Sequence, residues 1–168
     1  MNNSSTQHET LRRLTLSAML IAVTVVISRL FIIPVPMTHG NINLCDAGVL
    51  IAAMLLGPRD GASVGAISGF LLDLLSGYGQ YMFFSFIVHG LEGLVAGLML
   101  SKVSKNASKI ISLVLAVIIM TIGYFLADSL LYSVSIGLIG VVTNLIQGLV
   151  GVVIAYVVGP KIIQLIKK

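Results

Sequence analysis

The stretch Phe83–Leu100, FFSFIVHGLEGLVAGLML, decides how the rest of the sequence is interpreted. It is long and apolar enough to cross a bilayer, yet it contains His89 and Glu92. At i, i+3 spacing these two residues share one helix face, and Ser85 lies on that face as well. An ionisable group at membrane depth costs about 2.5 to 3.5 kcal/mol and usually faces a protein interior or a watery cavity. The pattern therefore predicts a binding site, the alternative being a His–Glu pair that only holds helices together.

The composition identifies the class of protein. Of 168 residues, 57% are hydrophobic and 10% are charged, which is too few charges for a water-facing surface. The chain is therefore predicted to be an integral membrane protein. Its single cysteine, Cys45, excludes an internal disulfide and a cysteine zinc cluster. We expect neither a cofactor nor a metal ion, and no nucleic acid, because the positions of the basic residues explain the net charge of +4.

Turn and proline signals divide the chain into an all-α fold with six transmembrane helices. Residues 1–10 are polar and are predicted to form a flexible cytoplasmic tail, and residues 11–168 a single membrane domain. The Pro34-Val35-Pro36 segment ends the first helix, and Gly159-Pro160 ends the last. The second and third helices are short, so one re-entrant hairpin is an alternative. The predicted helices are Leu11–Ile33, Cys45–Leu56, Ala62–Leu75, Phe83–Leu100, Ile110–Tyr132 and Ile136–Val158.

The basic residues predict the orientation of these helices. Nine of the ten lysines and arginines fall on the side of the two termini, and the three opposite loops contain none. By the positive-inside rule the termini are cytoplasmic, which predicts a multi-pass protein of the cell membrane. The nine residues are Arg12, Arg13, Arg59, Lys102, Lys105, Lys109, Lys161, Lys167 and Lys168.

The direction of each helix places most buried polar residues in the outer half of the bilayer. Apart from serine and threonine, the inner half contains almost no polar side chain, so we expect a pocket that is open outside and closed toward the cytoplasm. Carboxylates, amides and tyrosines suit a small aromatic ligand with hydroxyl or amino groups. The predicted binding residues are Asn41, Asn43, Tyr78, Tyr81, Ser85, His89, Glu92, Tyr124, Asp128, Tyr132, Asn144 and Gln147.

Some of these polar residues have a structural alternative. Tyr78 and Tyr81 are equally typical of an interfacial aromatic belt. Asp46, Asp73 and Arg29 are expected to form structural pairs near the outer interface. Glycines repeat every four residues at Gly61, Gly65 and Gly69, and predict a surface where another helix packs closely.

Four motifs carry a resemblance to a known family. They are Ala18-xxx-Ala22, Asn41-Ile-Asn43-Leu-Cys-Asp46, Leu-Leu-Gly57-Pro58-Arg59-Asp60-Gly61 and His89-Gly-Leu-Glu92-Gly. Together with six helices in 168 residues, they resemble an S component, the substrate-binding membrane subunit of an energy-coupling factor (ECF) vitamin transporter. The resemblance extends from about Leu11 to the C-terminus. It is strongest to the branch for hydroxymethylpyrimidine or vitamin B6 compounds.

The resemblance implies an ATP-driven importer with several subunits. A transmembrane coupling subunit would dock on helix 1 at Ala18 and Ala22, and two cytoplasmic ATPases would supply the energy. The S component would topple in the bilayer to release its vitamin inside. The site would be formed by helices 4 to 6 and by the outer loops after helices 1 and 3. The sequence has no GxxxxGK[ST] motif, so ATP hydrolysis is expected in the partner subunits.

Two other functions are open at this stage. A stand-alone secondary transporter would be expected to show an internal repeat and polar residues in the inner half, and neither is present. A membrane-embedded enzyme could use His89 and Glu92 as an acid–base or metal pair, although a fuller set of metal ligands such as HExxH is missing.

Overall fold

The computed structural model describes residues 3–35 and 38–166, with side chains from Gln7 onward. Six α-helices and one short hairpin make up this part of the chain, which confirms the all-α class. In chain order the elements are α1 (Asn3–Leu30), β1 (Ile33–Pro34), β2 (Asn41–Ile42), α2 (Cys45–Leu56), α3 (Pro58–Ser76), α4 (Met82–Leu100), α5 (Asn106–Leu131) and α6 (Val134–Ile166).

Helix boundaries agree with the sequence prediction at α2 and α4 and differ in α1. Helix α1 begins at Asn3, so residues predicted as a tail are helical, and it ends at Leu30 rather than Ile33. It ends early because Ile33 pairs with Ile42 in an antiparallel hairpin, which requires extended backbone. Helix α5 begins four residues earlier than predicted, at Asn106. Pro36, Lys167 and Lys168, which entered the predictions, lie outside the described residues.

The prediction that α6 ends at Gly159-Pro160 is wrong. The helix continues to Ile166 with Pro160 inside it, although proline lacks the backbone N–H that would bond to the carbonyl four residues earlier. Packing and capping explain the continuation. Gly159 lies close to Met54 on α2, since a Cβ there would be 3.1 Å from the methionine sulfur. Arg12 Nη2 donates to the carbonyl of Ile166 at 2.7 Å and so satisfies the C-terminal turn.

Four helices of the described chain are long and apolar enough to cross a membrane. These spans are Gln7–Leu30, Met82–Leu100, Asn106–Leu131 and Val134–Ile166, whereas α2 is apolar but has only 12 residues. Large apolar side chains such as Leu30 and Leu130 are about three-quarters exposed, at 75% and 77%. Such a surface is stable against lipid and not against water.

Glycines let α3 and α4 approach each other closely, as their spacing predicts. A Cβ at Gly65 would lie 2.2 Å from the carbonyl oxygen of His89, and a Cβ at Gly93 would lie 2.2 Å from that of Gly61. No real Cβ tolerates such distances, so these positions require glycine or a backbone shift. The contact fixes His89, and with it the polar face of α4, toward the protein interior.

Candidate ligand-binding site

A polar cavity lies between the β1–β2 hairpin and the adjoining ends of α3 to α6. The space open to the centre of a water molecule is about 40 Å³, which holds a few waters. Most of the lining side chains carry hydrogen-bonding groups. The lining residues are Thr38, Gly40, Asn41, Asn43, Asp73, Tyr81, Tyr124, Asp128, Gly140, Thr143, Asn144 and Gln147.

One wall of the cavity is formed by a tyrosine–carboxylate pair. Tyr81, which precedes α4 and is 4% exposed, donates from its hydroxyl to Asp128 Oδ1 on α5 at 2.6 Å. Burial raises the pKa of Tyr81, and the Asp128 carboxylate raises this pKa further, so the hydroxyl remains a hydrogen-bond donor at physiological pH. A Cβ at Gly140 would be 2.5 Å from Asp128 Oδ2, so the glycine lets the α6 backbone close this wall.

The floor of the cavity is held by two amides. Gln147 Oε1 accepts from the backbone N–H of Asn43 at 2.8 Å, and Gln147 Nε2 donates to Asp46 Oδ2 at 2.7 Å. Asn43 Oδ1 accepts from the N–H of Cys45, and Asn43 Nδ2 donates to Asn41 Oδ1 at 2.9 Å. The end of the hairpin is thereby joined to both α2 and α6.

A chain of hydrogen bonds runs behind the cavity through α3, α4 and α5. Ser85 Oγ donates to Asp73 Oδ2 and lies 2.7 Å from the Tyr124 hydroxyl. The Tyr124 hydroxyl lies 3.1 Å from His89 Nε2, and His89 Nδ1 lies 2.8 Å from Glu92 Oε2. Tyr124 therefore separates the His89–Glu92 pair from the cavity.

Asp46 completes the buried group around this pair. Its side chain is fully buried, and its Oδ1 lies 4.0 Å from His89 Nδ1. Asp46 and Asp73, for which structural pairs are expected, bond to Gln147 at the polar centre and to Ser85, respectively. Arg29 is exposed and forms no ion pair with any residue that the structure describes. Helix packing rather than local sequence decides these contacts.

The structure brings together part of the predicted binding set. Seven of the predicted residues line the cavity, namely Asn41, Asn43, Tyr81, Tyr124, Asp128, Asn144 and Gln147. Ser85, His89 and Glu92 lie behind Tyr124 and outside the lining. Tyr132 stacks on His39 with ring centroids 4.2 Å apart, and Tyr78 is half-buried away from the lining.

Sequence reasoning did not name every lining residue. It did not assign Thr38, Thr143 or Asp73 to the site, although all three line the cavity. Thr143 had a usable signal, because it precedes Asn144 and lies four residues before Gln147 on α6. The position of Asp73 also offered a signal for a site residue, because an acid near the outer end of a helix can reach the neighbouring loop.

Comparison with known proteins identifies the family. The family model described as "ECF-type riboflavin transporter, S component" matches residues 8–164. The chain belongs to the ECF S-component family. Among relatives, this S component is 38% identical over 156 residues to "Thiamine precursor transporter HmpT" of Lactococcus lactis subsp. cremoris (strain MG1363), covering 92% of this chain and 90% of that protein.

Two further similarities support the fold. An uncharacterised Pyrococcus woesei protein described as lying in a gap 3' region is 30% identical over 123 residues, covering 73% of this chain and 82% of that protein. The crystal structure of an S component for biotin from an ECF-type ABC transporter aligns with a TM-score of 0.68 at 20% identity. That alignment covers 100% of this chain and 95% of the other. At this identity, the likeness shows the fold alone.

Family membership settles two of the sequence predictions. An S component is a transport subunit and not an enzyme, so the alternative of a membrane-embedded enzyme using His89 and Glu92 is excluded. The protein is a multi-pass protein of the cell membrane that binds a vitamin or vitamin precursor.

Proposed function

We propose that this S component binds a hydroxymethylpyrimidine-type thiamine precursor from outside the cell. The observation that carries the proposal is the 38% identity, over 92% of the chain, to a relative described as a thiamine precursor transporter. The chemistry of the cavity supports it. An aminopyrimidine offers amino N–H donors, ring nitrogen acceptors and a hydroxyl, and the lining offers a carboxylate, amides and tyrosines.

Each group on the ligand has a suitable partner among the lining residues. The Tyr81 hydroxyl bonds to Asp128 Oδ1. The other carboxylate oxygen, Oδ2, is therefore available to accept a hydrogen bond from a ligand amino group. The half-buried Asn144 amide can both donate and accept, which suits a ring nitrogen or a hydroxyl. Tyr81 and Tyr124 have ring centroids 6.5 Å apart and offer aromatic surface to the heterocycle.

The hairpin side of the cavity is the proposed entrance for the ligand. In this structure the space open to water centres is about 40 Å³ and lies against the hairpin. Thr38, Gly40 and Asn41, in and beside the hairpin, form one side of the cavity. We infer that this segment opens to admit the ligand. A turn of Tyr124 would also expose His89 and Glu92, which remain proposed ligand contacts together with Ser85, Tyr78 and Tyr132.

Delivery to the cytoplasm requires the partners of the transporter. We infer six membrane crossings with cytoplasmic termini, a single membrane domain over residues 11–168, a coupling subunit and two ATPases. Ala18 and Ala22 are exposed on α1, which supports this face as the docking surface. A stand-alone secondary transporter remains the alternative, and transport by the purified chain alone in liposomes would favour it.

Ligand binding by the purified protein tests the proposal. The chain has no tryptophan and five tyrosines, two of which line the cavity, so tyrosine fluorescence reports directly on binding. Hydroxymethylpyrimidine should bind at submicromolar concentration, and calorimetry should give one site. Riboflavin and biotin should not compete. Tight binding of either of these, with none of the pyrimidine, would overturn the assignment.

Vitamin B6 compounds are the second candidate. A pyridine ring with a hydroxyl and hydroxymethyl groups presents acceptors and donors similar to those of the pyrimidine, and the same amides and tyrosines suit it. Competition by pyridoxine and pyridoxamine against the pyrimidine decides between the two. Tighter binding of either pyridine compound would identify vitamin B6 as the substrate class.

A further inference from the structure

Asp46 on α2 and His89 and Glu92 on α4 form a compact group of potential metal ligands. One ligand atom from each of the three lies within 4.8 Å of the others. The three residues are 0%, 2% and 0% exposed. No lysine or arginine in the described part of the chain forms an ion pair with them, so the two acids lack a permanent positive partner.

Two carboxylate oxygens in this group have no hydrogen-bond partner. Asp46 Oδ2 accepts from Gln147 and Glu92 Oε2 contacts His89, but Asp46 Oδ1 and Glu92 Oε1 are buried and unpaired. Buried acceptors without a donor are rare in folded proteins because they lose the hydration that an unfolded chain provides. Two such oxygens beside one imidazole form a set of donor atoms that a bound cation would satisfy.

The hydrogen-bond chain behind the cavity determines which nitrogen of neutral His89 faces the acids. Ser85 gives its single hydrogen to the Asp73 carboxylate, so it must accept the hydrogen of Tyr124. The Tyr124 oxygen is then free to accept from His89 Nε2–H. In the neutral ring, Nδ1 therefore presents a lone pair toward Glu92 Oε2 at 2.8 Å, where either a shared proton or a bound cation joins the two atoms.

We propose that Asp46, His89 and Glu92 bind one divalent transition-metal ion of the Zn²⁺ class. One imidazole nitrogen and two carboxylates are ligands that zinc accepts, and a 2+ ion makes two carboxylates and a neutral imidazole electrically neutral. With bonds of about 2.0 to 2.1 Å, the ligand atoms around tetrahedral zinc are roughly 3.3 Å apart. The distances from His89 Nδ1, 2.8 Å to Glu92 and 4.0 Å to Asp46, bracket that separation.

The groups around the cluster are those that a metal site needs. Tyr124 fixes the His89 tautomer through Nε2, and Gln147 orients Asp46, as outer-shell partners of metal ligands do. Both residues also line the cavity, so the ion enters from the cavity when they turn. The site lies behind Tyr124, outside the cavity lining, and shares His89 and Glu92 with the proposed vitamin contacts.

Metal titration of the purified protein tests the proposal. The protein is stripped with a chelator, and Zn²⁺ is then titrated and its stoichiometry measured by elemental mass spectrometry after desalting. Co²⁺ serves as a spectroscopic probe, because ligation by nitrogen and oxygen in a tetrahedral site produces visible absorption. We expect one equivalent of Zn²⁺ per chain and a Co²⁺ spectrum that Zn²⁺ abolishes. Absence of metal binding by the unmodified protein at micromolar concentration would overturn the proposal.

Substitutions then locate the ion. Asp46→Asn, Glu92→Gln and His89→Gln should each weaken Zn²⁺ binding at least tenfold, with folding checked by size-exclusion chromatography and circular dichroism. The matched control Asp60→Asn removes a carboxylate from the first turn of α3 and should leave the stoichiometry at one. If folded Asp46→Asn and Glu92→Gln proteins bind Zn²⁺ as tightly as the unmodified chain, the ion lies elsewhere and the proposal is wrong. Pyrimidine binding, measured on the Asp46→Asn protein, separates this result from the proposed function, because Asp46 is not one of the proposed vitamin contacts.

Discussion

Gln147 on α6 donates from Nε2 to Asp46 Oδ2 on α2 at 2.7 Å, although 101 positions separate the two residues in the chain. The other end of the same amide accepts from the backbone N–H of Asn43. One side chain thus connects the hairpin that borders the cavity, the first turn of α2 and the middle of α6. The floor of the cavity is therefore held together by bonds to three separate elements of the fold.

Replacing Gln147 should affect binding and stability together. Gln147→Ala leaves the Asn43 N–H and an Asp46 oxygen without partners, and an unsatisfied buried group costs about 1 to 3 kcal/mol. We expect a loss of ligand affinity of about tenfold or more and a lower melting temperature in detergent. Gln80→Ala, in the exposed loop before α4, is the control. Unchanged affinity and melting temperature for Gln147→Ala would contradict this role.

Asp128 and Tyr81 should act as a coupled pair in ligand binding. Asp128→Asn removes the acceptor proposed for the ligand amino group and should weaken binding about ten- to a hundredfold, since hydrogen bonds to charged groups contribute about 1.5 to 3 kcal/mol. Tyr81→Phe should weaken it less, because the phenyl ring still covers the cavity. Calorimetry on the two single variants and the double variant measures their coupling. Strictly additive losses would show that the Tyr81–Asp128 bond is irrelevant to binding.

Substitutions on α1 should separate binding from transport. Ala18→Leu combined with Ala22→Leu fills the exposed small-residue surface proposed for docking, so it should leave pyrimidine binding unchanged and stop ATP-dependent uptake. Met19→Leu, at an exposed neighbouring position, is the control and should transport normally. Normal uptake by the double variant would remove this face of α1 as the docking surface.

The contact between α3 and α4 should be intolerant of even one methyl group. Gly65→Ala would place a Cβ 2.2 Å from the backbone carbonyl oxygen of His89, and overpacking of this kind costs about 1 to 3 kcal/mol. We expect a lower melting temperature and weaker ligand binding, because His89 and Tyr124 shift with the helix. Gly79→Ala is the control, since a Cβ there meets nothing within 4 Å. Equal melting temperatures for the two variants would refute the close contact.

Much of the secondary structure could be predicted because it depends on local features of the chain. Turn chemistry at Gly57-Pro58 located the C-terminal end of α2, and apolar length located α4. Predictions failed where distant parts of the chain decide the outcome. The ending predicted at Pro160 did not occur because α1 and α2 support the last turns of α6.

The candidate site was also predictable only in part. The spacing of His89 and Glu92 puts them on one helix face, and the cost of exposing charge to lipid requires that face to be buried. The sequence by itself therefore determined that α4 carries a polar centre inside a membrane subunit. Only the tertiary structure decided that Asp46 joins this centre and that Tyr124 separates it from the cavity. Those contacts form between helices far apart in the chain. Helical periodicity specifies which face of each helix is polar but not which other helix meets that face.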